Sequence, residues 1–309
     1  MRGRRPTKPA AQLVVGLVMV TMLLLAALAG PALAPYSQDH SEKMIVVQTA
    51  AGPTTIYAPQ PPSRHHLLGT DRWGYDIFSL LLYGARYTVF AALGIALVRV
   101  LVGGALGLLF GMRSSAGSAG KTSGPLGGIP AFIVIYFLML GININSPLSA
   151  PALAGIEGAL IVLLGIPAVA ATISLKTAKH RQSQHVLAAV ALGAGRGRIA
   201  TRHVLPLLRE DLLLLFSGEV VLVLVLIGQL AVFDLFFGGT VQSFDPILLS
   251  SRTHEWASMI GASRTSIQAN QWLVLGPLGA FLFAVLGFQM LAGGLERRAR
   301  AGYARYPMV

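Results

Sequence analysis

Six stretches of the chain, near residues 12–33, 87–111, 127–144, 153–175, 212–237 and 273–293, run with almost no charge. Each is close to the roughly 20 residues that a helix needs to cross a hydrocarbon core. Lipid offers no partner to a backbone N–H or C=O, so such stretches satisfy their own backbone as helices. Only 12% of the 309 residues are charged and 54% are hydrophobic, whereas a soluble domain carries about 25% charge. That few charges cannot solvate a globular surface of this size. The expected fold class is all-α, a polytopic membrane protein of about six transmembrane helices. The third stretch is the shortest and begins among Gly and Pro.

The first stretch has a basic start (Arg2, Arg4, Arg5, Lys8) and Ala32-Leu33-Ala34 after it, the outline of a cleavable signal peptide. Its apolar part is long for that role, and a retained helix is favoured. With the N-terminus inside, alternate loops hold 17 basic residues on the inner side and 6 on the outer, with Arg99 inside a helix. The positive-inside rule then places both termini in the cytoplasm. This also accounts for the net charge of +12 without a nucleic-acid partner. The expected organisation is a cytoplasmic N-terminus (1–11), a first helix (12–33), an extracytoplasmic loop (34–86), a transmembrane core (87–294) and a cytoplasmic tail (295–309). The absence of cysteine excludes disulfides and thiolate chemistry.

The inner loop from Lys176 to Arg209 carries a helical stretch of its own. Val186, Leu187, Val190, Ala191 and Ala194 recur at helical spacing, and Arg196, Arg198 and Arg202 follow. Such a helix could lie among anionic lipid headgroups or dock into a groove on a cytoplasmic partner. Charges inside spans are costly, which makes Arg99 and Glu219 candidates for a polar pathway, or for an ion pair between helices. Asp234 is expected at the outer interface, and Glu157 near an outer helix end in reach of water. His65-His66 make a poor metal site, because neighbours in an extended segment point opposite ways, so no metal is expected. Gly120-Lys121-Thr122 ends like a phosphate-binding loop but lacks the earlier glycine, Ser115 standing there. No catalytic constellation is present, and no enzyme is expected.

Leu187-Ala188-Ala189, then Gly193, then Arg202-His203-Val204-Leu205-Pro206 resembles the coupling motif of ABC importer permeases, Glu-Ala-Ala with a downstream Gly and Leu-Pro. Pro61-Pro62-Ser63-Arg64-His65-His66-Leu67-Leu68-Gly69-Thr70-Asp71, followed by Gly74, Asp76 and Ser79, is similar to the outer-loop signature of the dipeptide, oligopeptide and nickel branch. Tyr83-Gly84-Ala85-Arg86, Trp256-Ala257-Ser258-Met259 and Gly294-Leu295-Glu296-Arg297 extend the match over nearly the whole chain. The resemblance implies a type I importer permease fold with a coupling helix near 184–200, on which Leu187, Ala188, Ala189, Gly193, His203, Leu205 and Pro206 meet an ATPase. It implies a second homologous permease, two cytoplasmic ATPase subunits that bind the ATP, an extracytoplasmic solute-binding protein, and no cofactor held by this chain. Gly69, Thr70, Asp71, Gly74 and Asp76 would then lie near solute entry, although Gly-Thr-Asp alone reads as an ordinary turn. The cargo implied is peptides, or nickel and metal chelates. Departures mark a divergent member: Leu187 replaces the motif's Glu, and a Gly/Ser-rich run, 113–124, replaces an aromatic-glycine region. An ion-coupled secondary transporter and a non-transporting anchor or sensor remain alternatives.

Overall fold

The computed structural model describes residues 8–49, 52–113, 128–244 and 247–305. Helix α1 (Lys8–Leu33) leads into a hairpin of β1 (Met44–Thr49) and β2 (Gly52–Tyr57). Then come α2 (Ile77–Arg113), α3 (Ala131–Asn143), α4 (Ala150–Arg181) and the short α5 (Gln184–Ala191). A one-turn α6 (Arg196–Arg198) and a π turn (Ile199–Val204) run into α7 (Leu205–Val232). Strands β3 (Thr240–Phe244) and β4 (Ile247–Ser251), α8 (Trp256–Ser263), a 3-10 turn (Arg264–Ser266) and α9 (Trp272–Arg305) complete it.

Among the described residues five helices are long and apolar enough to cross a membrane, and the chain is a multi-pass membrane protein. The sixth expected span is α3, whose 13 residues reach only about 20 Å at 1.5 Å per residue. Apolar windows mark the lipid-facing stretch rather than the helix, so α2 begins at Ile77, ten residues before the expected start at 87. For the same reason α4 and α9 run on past the apolar stretch to Arg181 and Arg305. The expected outer loop is not featureless. It folds an antiparallel hairpin with Met44 opposite Tyr57, and a second two-stranded ribbon pairs Thr240 with Ser251.

Helices cannot be driven together in lipid by burial of apolar surface, so close contact and polar bonds must do it. Three glycines one turn apart, Gly103, Gly107 and Gly111, form the face of α2 that meets α4. A Cβ at Gly107 would lie 2.6 Å from the Ala170 carbonyl oxygen, and one at Gly111 2.6 Å from that of Ser174. Around this pair, α1 packs on α9 and α2, and α7 packs on α2 and α9. The core runs through their contact and includes Ala92, Ala96, Ile161, Val220, Val223, Leu230 and Ala284, all fully or almost fully buried. The strands and α8 gather at one face of the bundle, and α5 lies at the other.

Gly107→Leu should force α2 from α4 and destabilise the fold by about 1–3 kcal/mol or more. Gly94→Leu, where an added Cβ meets nothing within 4 Å, should leave the unfolding midpoint in detergent unchanged. Equal midpoints for the two variants would contradict the packing argument.

Candidate functional site

The helix α5 is held by one side and open on the other. Val186 is fully buried with Ile173 of α4, Ile199 and Val204 of the π turn and Leu208 of α7, and Ala189 is 9% exposed on the same side. Leu187 is 53%, Val190 50% and Leu192 89% exposed. The single apolar face expected from the spacing is therefore two faces, one spent on the body and one free. The helix ends at Gly193, whose φ is +81°. The Gly193 amide donates to the Val190 carbonyl at 2.9 Å, and that of Ala194 to Ala189 at 3.0 Å. This pair of bonds is a Schellman motif, which needs a left-handed residue at its turn. Crowding does not call for glycine here, since an added Cβ at Gly193 meets nothing within 4 Å. Backbone handedness, not crowding, selects glycine there.

From α6 through the π turn into α7 the chain is continuous helix. Pro206 has no N–H for the Arg202 carbonyl, and its ring crowds that group; the π turn containing Arg202 and His203 widens the helix immediately before it. Leu205 opens α7 and is 37% exposed. Nearby bonds tie three helix ends together: Lys176 to Asp211, and Arg181 to the Met112 carbonyl at 2.7 Å.

Midway through the bundle, Arg99 of α2 donates to Glu219 of α7 at 2.8 Å and to the Ile161 carbonyl of α4 at 3.0 and 2.7 Å. Both side chains are 6% exposed. Of the two readings open for these charges, the structure displays the interhelical pair. Gly165 makes room for it, since a Cβ there would lie 2.0 Å from Arg99 Nε.

At the strand-bearing face the 69–76 segment is a knot of turns. Gly69 and Gly74 have φ of +79° and +83°. The Thr70 hydroxyl accepts from the Gln60 amide at 2.9 Å. Asp71 Oδ1 accepts from the amides of Trp73 and Tyr75 at 2.8 and 2.9 Å. Burial pushes the Asp71 carboxyl up to about 6, against the lowering effect of those amides and of Arg72. Asp76 stands before α2, accepting from the Ser79 amide at 2.7 Å and from His66 Nδ1 at 3.0 Å. His66 is thus buried in a carboxylate contact while His65 is exposed. Among the described residues, no group of three His, Cys, Asp or Glu could hold a metal.

One acid was misplaced by the sequence reading and one was missed. Glu157 is fully buried, which corrects the expectation that it touches water. Its carboxyl, directed toward the Gly238 amide and Glu255, makes no hydrogen bond of standard geometry. Glu255 caps α8, accepting from the amides of Ala257 and Ser258 at 2.8 and 2.6 Å, and burial pushes it up to about 7. The nearest sequence signal was an acid placed just before Trp256. Asp234 lies just past the end of α7 and pairs with Arg264. The Gly120-Lys121-Thr122 run lies outside the described residues.

A bundle of long apolar helices tied together by a buried ion pair, with a short helix anchored at one face and open outward, defines a polytopic permease-like membrane protein. No family model matches the sequence. The chain is 28% identical over 292 residues to the dipeptide transport system permease protein of Alkalihalophilus pseudofirmus, covering 92% of this chain and 83% of that one. It is 23% identical over 286 residues to the oligopeptide transport system permease protein of Bacillus subtilis, covering 91% and 83%. It is 27% identical over 237 residues to the glutathione transport system permease protein of Pectobacterium atrosepticum, covering 76% and 72%. The chain is a divergent homologue of these peptide-transport permeases.

Arg99→Met strands Glu219 as an unpaired buried charge and should cost about 3–5 kcal/mol, whereas Arg99→Met with Glu219→Met should recover most of it. Unfolding in a detergent titration reads both. Asp71→Asn keeps the acceptor for Trp73 and Tyr75 and removes the buried charge. Native Asp71 binds its proton between the unfolded value of 3.8 and about 6, so the folded parent gains stability as pH falls through that window. The stability of the variant relative to the parent should therefore shrink from pH 7 to pH 4. A difference that is flat with pH would refute the burial of this charge.

Proposed function

We propose that the chain is one membrane-spanning half of an ATP-driven importer of short peptides in the bacterial cytoplasmic membrane. It pairs with a second homologous permease, and the pathway lies between the two. The face carrying α5 is cytoplasmic, as are both termini, and two ATPase subunits dock there and bind the ATP. A solute-binding protein delivers cargo to the strand-bearing face.

The observation that carries this reading is the division of α5. Leu187, Val190 and Leu192 present an apolar surface of the kind a groove on a partner covers, while Val186 locks the helix to α4 and α7. A displacement of α5 cannot be absorbed locally, because its anchor is close-packed. It passes to α4 through Ile173 and to α7 through Leu208. Closure of the ATPases on ATP would thus be conveyed to the helices that Arg99 joins. Leu187, in place of the Glu of the motif that this stretch resembles, gives the contact an apolar residue.

Purification of the tagged chain in mild detergent, with mass spectrometry of what accompanies it, tests the reading. An ATPase and a second permease should copurify with the parent. Val190→Glu with Leu192→Glu alters only exposed positions, so it should release the ATPase while keeping the second permease and the unfolding midpoint. Recovery of the parent alone, under conditions that hold such complexes together, would overturn the ATP-driven reading.

A further inference from the structure

A cavity of about 450 Å³ opens at the strand-bearing face, between the 38–43 segment, the 71–75 turns, β4 and α8. Its size lies within the roughly 300–1,000 Å³ typical of small-ligand sites. Leu80, Met259 and Leu273, all buried, give it an apolar floor, and Trp73 forms part of its wall.

The charges that line this cavity fall into two groups. Arg72 is committed to the hydroxyls of Thr265 and Ser266, and Arg252 to the carbonyls of Ser146 and Leu148. Asp71 is committed to the amides of its own turn. Asp39 and Lys43, four residues apart on one segment, line the cavity as well. Among the described residues neither side chain has a hydrogen-bond or ion-pair partner. One free anion and one free cation thus stand over one apolar floor. A ligand that satisfies both carries an ammonium and a carboxylate, with an apolar body between or beside them.

We propose that this cavity binds one short zwitterionic peptide, with Asp39 taking its terminal ammonium, Lys43 its terminal carboxylate, and a side chain lying on the Leu80–Met259–Leu273 floor. The lining belongs to this one chain, and the site would hold cargo before entry. In that role it rests on the transport reading; the binding itself does not.

Isothermal titration of the purified full chain in lipid nanodiscs tests the site, with Ala-Phe, its N-acetyl form and its C-amide form as probes. Ala-Phe should bind saturably, and each blocked form more weakly. Lys43→Gln should weaken Ala-Phe by roughly fivefold, the upper range for an exposed ion pair, and leave the C-amide unaffected. Asp39→Asn should do the converse, losing affinity for Ala-Phe but not for the N-acetyl form. Unchanged unfolding midpoints for both variants would exclude misfolding as the cause. Absence of saturable heat, or equal affinity for free and blocked peptides, would overturn the proposal. A chain that captures its ATPase but binds no peptide loses only this site. A chain that binds peptide but captures no ATPase keeps the site and loses the transport reading.

Discussion

The close approach of α2 and α4 is the contact on which the other helices depend. In hydrocarbon there is no gain from moving apolar side chains out of lipid and onto one another, so association rests on close packing and interhelical polar bonds. Gly103, Gly107 and Gly111 supply the packing, bringing the α2 backbone to van der Waals contact with Ala170 and Ser174. Arg99 supplies the bond one turn further along, reaching the Ile161 carbonyl through the space that Gly165 leaves open. Because the same guanidinium also holds Glu219, α7 is registered against the pair. Four missing Cβ atoms and one buried ion pair therefore position three helices.

That arrangement makes the α5 end of the bundle a rigid mount. The cluster of Ile173, Val186, Ile199, Val204 and Leu208 joins α4, α5 and α7, and Arg181 joins α4 to the end of α2. The Schellman turn at Gly193 and the π turn before Pro206 then set the direction in which α5 leaves and the chain returns. Exposed leucines on such a mount differ from exposed leucines on a span. The latter face lipid and need no explanation, whereas Leu192 lies beyond the end of a short helix outside the spans.

At the other face, turns rather than helices do the building. Gly69, Gly74, Thr70 and Asp71 hold a compact segment against Gln60, Glu42 and Trp272. Residues that read as an ordinary turn are thus an ordinary turn in local geometry, fixed in place by distant parts of the chain. Together with β4 and α8 this segment encloses the cavity that Asp39 and Lys43 border.

The sequence by itself determined the long apolar helices, because a run of some 20 uncharged residues has one stable backbone in lipid. It also marked the Gly193 turn, the Leu205-Pro206 entry to α7, and Arg99 with Glu219 as charges needing an explanation. Only the tertiary structure decided that those two charges meet, since 120 residues separate them and no local pattern encodes the encounter. It also decided that Glu157 is buried, that α3 falls short of a full span, and that Val186 and Leu187, adjacent in sequence and alike in chemistry, face opposite environments. Periodicity shows that a helix has an apolar side. Which part of that side is covered depends on the neighbours that pack against it, and those come from other parts of the chain.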